Sequence, residues 1–156
     1  MPSAAADIRI ILAGPGHLDE AAPLFDAYRQ FYKRPPALEA ARRFLAARLA
    51  KRDSALFLGY APATSEHVSG FVHLYPSFDS LAMKPRWILY DLYVAPESRR
   101  LGLARALMNR ATALARETGA SHLALETAKD NLQAQSLYEQ LGYQRDDVFY
   151  AYSLPV

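Results

Sequence analysis

At 156 residues and 51% hydrophobic content, the chain is sized for one domain with a real core. Its net charge is only +2, with basic residues spread among acidic ones except at Arg99, Arg100 and Arg105, which argues against a broad nucleic-acid footprint. The absence of cysteine excludes a thiolate nucleophile and any cysteine-ligated zinc or iron-sulfur centre; with no apolar run of membrane-spanning length and no secretory pattern in MPSAAADIRI, a soluble, cytoplasmic protein that meets neither membrane nor nucleic acid is expected.

Along the chain, Asp7 to Leu12 is isoleucine-rich and stops at Gly14-Pro15-Gly16, which predicts a first strand and a turn. His17 to Tyr32 carries apolar residues at three- and four-residue spacings and reads as an amphipathic helix stopped by Pro35-Pro36. Leu38 to Lys51 predicts a second helix with a solvated basic face. Ser54 to Tyr60 and Val68 to Phe78 read as an antiparallel hairpin, with Pro76 expected to end or bend its second strand and Ser77 to Arg86 expected to form a loop. Arg86 to Val94 is apolar on both alternating faces apart from Asp91, so it should be a central strand.

Leu101 to Thr118 predicts a helix ending at Gly119, followed by a strand over His122 to Thr127. A strand, a helix and another strand in this short compass form a crossover unit with parallel strands. Asn131 to Leu141 predicts a last helix, and Phe149 to Ser153 a last alternating strand. The expected fold is a single mixed α+β domain over residues 5–155: six or seven mostly antiparallel, twisted strands and about four helices.

Chemistry concentrates at Arg99-Arg100-Leu101-Gly102-Leu103-Ala104-Arg105, between the central strand and its helix. Glycine permits a tight path there, and the first amides of a helix have no internal partners. Free amides, the positive helix end and several arginines suit a pyrophosphate. Neither a nucleoside-triphosphate loop nor a dinucleotide fingerprint is present, since both require other glycine spacings. The histidines 17, 67, 73 and 122 fall on four separate segments without two-ligand spacing, so no metal site is expected.

Arg99, Gly102 and Ala104 match Arg/Gln-x-x-Gly-x-Gly/Ala, and with YDLYVAPESR before them and NLQAQSLYEQLGY after, the chain resembles the GNAT superfamily of N-acetyltransferases. Within it, GFVHLYPSF, ILYDLYV and the N-x-x-A-x-x-L-Y helix are most similar to polyamine acetyltransferases. The resemblance implies acetyl-coenzyme A as co-substrate. It implies that backbone groups of Leu92, Tyr93 and Val94 pair with the pantetheine arm, that amides from Arg100 to Arg105 hold the pyrophosphate with Arg99 beside them, and that Asn131 contacts the arm. Tyr138, two turns along the same helix face, is implied to stand at the sulfur as general acid. A thiol near pKa 8.5 is a stronger acid than a phenol near 10, so full proton transfer from tyrosine runs uphill by roughly 2 kcal/mol and a hydrogen bond to the thiolate suffices.

An acceptor amine like lysine must lose a proton, at roughly 4 kcal/mol near neutral pH, so a base or water chain is needed. Polyamine enzymes carry a glutamate before the strand aspartate where this chain has Tyr90, which leaves the base open. Asp91, the one charge in its strand, is either the partner of a substrate amine or half of an ion pair. Phe31, Tyr32, Tyr75, Phe78 and Tyr90 are candidate walls of the acceptor site, equally suited to core packing. The expected activity is direct acetyl transfer to a small-molecule amine, by a homodimer; a protein amine as acceptor, or a coenzyme-binding regulatory domain without transfer, are the alternatives.

Overall fold

The computed structural model describes residues 7–156, so residues 5 and 6 of the expected domain lie outside the described residues. Elements run in the order β1 (Arg9–Leu12), α1 (Leu18–Phe31), α2 (Leu38–Lys51), β2 (Ala55–Tyr60), β3 (Gly70–Asp79), β4 (Lys84–Val94), α3 (Leu103–Glu117), β5 (Leu123–Ala124) and α4 (Leu132–Gln140). The chain forms two compact units, one running to Leu125 and one from Glu126 to Val156.

In the first unit, five strands form one sheet in sequence order; the first three pairings are antiparallel, and β4 and β5 are parallel. The sheet is covered on both faces, which explains why β2 is buried at every position and reads as an unbroken apolar run. Leu56, Leu58 and Tyr60 of β2 join Phe71 of β3 under Ala21 and Ala22 of α1 and Leu45 and Leu49 of α2. The opposite face receives α3, whose Leu103, Leu107 and Met108 are essentially inaccessible. Each such side chain contributes about 1.5–3 kcal/mol of apolar burial. Buried Asp26 ties the two N-terminal helices together by accepting from Arg29 Nη1 at 2.9 Å and from the Ala37 amide at 3.1 Å.

Several sequence expectations need correction. Ser77 to Arg86 is not a loop: β3 runs through Pro76 to Asp79 and pairs continuously with β4, leaving a turn over residues 80–83. Proline is tolerated because β2 reaches β3 only as far as Leu74, so Pro76 sits where the strand has an open edge and no second ladder requires its missing N–H. The strand expected over His122 to Thr127 shrinks to Leu123–Ala124, because only these residues find register with Trp87 and Ile88. Among the described residues the sheet has five strands, fewer than the six or seven expected.

In the second unit, α4 starts at Asn131 as N-cap, whose Oδ1 accepts from the Ala134 amide at 3.2 Å. Residues 149–153 are not a strand among the described residues. Alternating hydrophobicity makes a segment fit for a ladder, but a strand also needs a neighbour to bond.

Candidate active site

β4 is the element around which the site is built. Its first half is bonded on both flanks, to β3 throughout and to β5 at Trp87 and Ile88. Past Ile88 it has β3 alone among the described residues, so the backbone groups of Leu92 and Val94 face an open flank, whereas those of Tyr93, expected there too, alternate to the β3 side opposite Phe71. The Val94 carbonyl already accepts from Arg99 Nε at 3.2 Å, with its second lone pair left over.

Where β4 ends, the chain forms a nest. Arg99 is extended (φ −73°, ψ 160°), Arg100 is left-handed at φ 63°, and Gly102, the N-cap of α3, is left-handed at φ 83°. No side chain caps the helix, and at its start the Ala106 amide donates to the Gly102 carbonyl at 3.1 Å. Among the described residues, the amides of Arg100, Leu101, Gly102, Leu103 and Ala104 donate to no backbone carbonyl. This run of donors at a helix start is rimmed by the exposed Arg99, Arg100 and Arg105, an arrangement whose chemistry suits an anion. Leu103 adds an anchor, since its buried side chain pins the turn to the core while its amide stays at the helix end.

Between the open flank and the neighbouring strand lies a β-bulge. His73 opposes Asp91 and Leu74 opposes Leu89, so Tyr90 is the extra residue. The bulge sets Tyr90 beside Asp91 and brings its ring within 5.7 Å of Tyr75. Asp91 is only 5% exposed, whereas Tyr90 is 68% exposed. Asp91 Oδ2 stands 3.4 Å from His73 Nδ1, and His73 Nε2 stands 2.7 Å from Ser54 Oγ. Tyr28 of α1 reaches the same carboxylate; burial, and then the Asp91 charge, push its phenol far above the ordinary range. Tyr75 is raised in the same way by burial and Asp91. Both phenols stay protonated at neutral pH, and that of Tyr28 donates to Asp91.

The aromatic candidates divide. Tyr75 and Tyr90 belong to the Asp91 cluster, while Phe31 and Tyr32 extend from Tyr28 and Tyr93 toward the nest, with Arg99 lying 5.8 Å above the Phe31 ring. Phe78 belongs to neither. It pairs with Pro85, six positions from Asp91 along β4 and thus about 20 Å away, and is 81% exposed near the hairpin tip. Sequence reasoning missed Tyr28 and His73 as partners of Asp91, and Ser54 behind His73; the available signal was a histidine inside the buried run Phe71 to Leu74. In the second unit, the Tyr138 ring lies 5.9 Å from that of Tyr143, whose phenol burial pushes up to about 12.

A mixed sheet of this kind, with an open flank beside its longest strand, is that of an acyltransferase enzyme. The chain is a member of the Acetyltransferase (GNAT) family, whose sequence profile matches residues 21–143. It is 42% identical over 135 residues to the uncharacterized N-acetyltransferase YhfO of Bacillus subtilis, covering 86% of this chain and 89% of that one. A probable acetyltransferase of known crystal structure superposes with a TM-score of 0.90 at 43% identity, covering 95% of this chain and 97% of that one. The ribosomal-protein-alanine N-acetyltransferase of Brucella melitensis shares the fold at a TM-score of 0.78 and 24% identity, over 94% of this chain and 99% of its own. Among the described residues no helix is long and apolar enough to cross a membrane, and no three metal-ligating side chains gather.

Proposed function

We propose that the enzyme transfers the acetyl group of acetyl-coenzyme A directly to a primary amine of a small molecule, such as a polyamine or an amino acid. The observation that carries this reading is Asp91: a carboxylate 5% exposed, at a bulge beside the vacated flank of β4, among the rings of Tyr28, Tyr75 and Tyr90. A buried negative charge between aromatic rings favours a cationic group.

The residues present fit the co-substrate. Unbonded amides of Arg100 to Ala104 suit its diphosphate, and the open flank at Leu92 to Val94 suits the amide-bearing pantetheine arm as an added strand. Bound there, acetyl-coenzyme A supplies an activated acyl carbon. Asp91 attracts and orients the ammonium group, which must shed a proton to water before its nitrogen attacks. A β4 amide near Leu92 stabilises the charge on the carbonyl oxygen, and carbon exchanges its bond to sulfur for one to nitrogen. By the family resemblance, Asn131 holds the arm and Tyr138 hydrogen-bonds the departing thiolate. The same resemblance supports a homodimer, which light scattering reads directly.

The test is thiol release from acetyl-coenzyme A with polyamines, amino acids, aminoglycosides and peptides with free N-termini. Turnover with one of the small amines is expected. Release with peptides alone would move the acceptor to proteins, and coenzyme binding without any release would make the chain a regulatory domain.

A further inference from the structure

His73 is fully inaccessible, and acetyl transfer as derived above makes no use of it. Its ring stands between two elements: Nδ1 is 3.4 Å from Asp91 Oδ2 on β4, and Nε2 is 2.7 Å from Ser54 Oγ, just before β2. The Tyr75 hydroxyl is also 3.4 Å from Nδ1. The remaining charged groups nearby form their own ion pair, Arg48 Nε to Asp53 Oδ1 at 3.1 Å.

A neutral imidazole carries one ring proton, and its position decides what Asp91 meets. With Nδ1 bare, a buried carboxylate would face a lone pair, two acceptors in contact with nothing between them. With the proton on Nδ1, the same contact becomes a charge-assisted attraction. Nε2 is then an acceptor, and the Ser54 hydroxyl, free to rotate, becomes the donor to it.

We propose that Ser54 and His73 are positioning residues of the acceptor site: Ser54 donates to Nε2, the imidazole holds its proton on Nδ1, and that N–H fixes the Asp91 carboxylate in one orientation toward the incoming ammonium group. The chain Ser54–His73–Asp91 resembles a hydrolytic triad in composition only, because here the carboxylate faces the substrate and the hydroxyl lies at the far end. The functional half of this inference rests on the reading that Asp91 receives the amine; the tautomer does not.

Two measurements test it. A long-range proton–nitrogen correlation spectrum of the uniformly nitrogen-15-labelled wild-type enzyme reads the tautomer directly, and the Nδ1–H form is expected. Steady-state kinetics with the best amine of the panel then compare His73→Asn, whose amide nitrogen falls about where Nδ1 lies, with His73→Gln, whose amide nitrogen falls about where Nε2 lies. His73→Gln should raise the amine KM about tenfold, as for one lost charge-assisted hydrogen bond, with kcat and coenzyme Kd little changed. His73→Asn should stay near wild type. An Nε2–H tautomer in the wild-type enzyme, or equal KM values for the two variants, overturns the proposal. Should neither variant fold, the wild-type spectrum still decides the tautomer. Should no amine react, the functional reading fails while the ring proton is still read.

Discussion

The two halves of β4 are made of similar residues and do opposite things. From Lys84 to Ile88 the strand forms a hairpin with β3 and, at Trp87 and Ile88, touches β5, while Trp87 Nε1 donates to Thr118 Oγ1 at 2.9 Å. From Asp91 to Val94 it keeps β3 but has no second strand among the described residues, and its only acid is buried beside a bulge. The first half has partners on both flanks at Trp87 and Ile88, and the second has a partner on one flank only among the described residues, which is the edge the proposed co-substrate would use. In a sheet this small, binding capacity is made by leaving a ladder unfinished.

The sharpest break of this comparison is Asp91→Asn, which keeps shape but removes charge. Losing the charged partner of a bound cation at a desolvated position costs about 3–5 kcal/mol, so kcat/KM for the amine should fall by about two to four orders of magnitude. Affinity for the coenzyme, measured by calorimetry, should not change, because the nest is a separate set of groups. Weakened coenzyme binding of similar size would show that the two sites are not separable.

Next in size is Gly102→Ala. The residue holds φ 83° with open space around the position a Cβ would take, so the substitution acts through backbone conformation and not through a clash. Forcing a side chain into that region costs about 1 kcal/mol, and relaxing away from it turns the amides out of the nest. Coenzyme affinity should fall about fivefold, with the amine KM unmoved. An unchanged coenzyme Kd would mean that the nest does not hold the diphosphate.

The features that proved legible in sequence are those written within a few residues. The tight turn proposed to hold the diphosphate is spelled out from Arg99 to Ala104, with positive φ at Arg100 and Gly102. Asp91 is conspicuous as the lone acid in an apolar strand. Helices α1, α2 and α3 follow from their periodicity to within two residues at each end. What stayed hidden depends on register. The bulge that sets Tyr90 beside Asp91, the 19-residue separation closed between Ser54 and His73, and the shortness of β5 come from how strands align, which no local pattern encodes. Pro76 misled for the same reason: whether a proline breaks a strand depends on whether a neighbour needs its N–H, and here β2 has already ended.

The smallest effect belongs to the structural half. Near the hairpin tip, Asp79 Oδ2 accepts from Ser121 Oγ at 2.8 Å and Oδ1 accepts from the Ala82 amide at 3.2 Å. These two donors, Ser121 first, hold the Asp79 carboxyl below its usual range, with His122 at 3.5 Å adding to them. A carboxyl whose folded-state value lies below its unfolded value lends stability that is fully present above the unfolded pKa of about 3.9. That stability is lost as pH falls through the folded value. The tip is therefore tethered at neutral pH and loosens only in acid. Ser121→Ala should move the Asp79 carboxyl, followed by carbon-detected NMR titration, back toward the ordinary range, and should weaken the acid dependence of stability while leaving the amine kinetics of the distant bulge as they were. If instead the amine KM moved with Ser121, the hairpin tip would be coupled to Asp91, and the division of β4 into a structural and a binding half would be wrong.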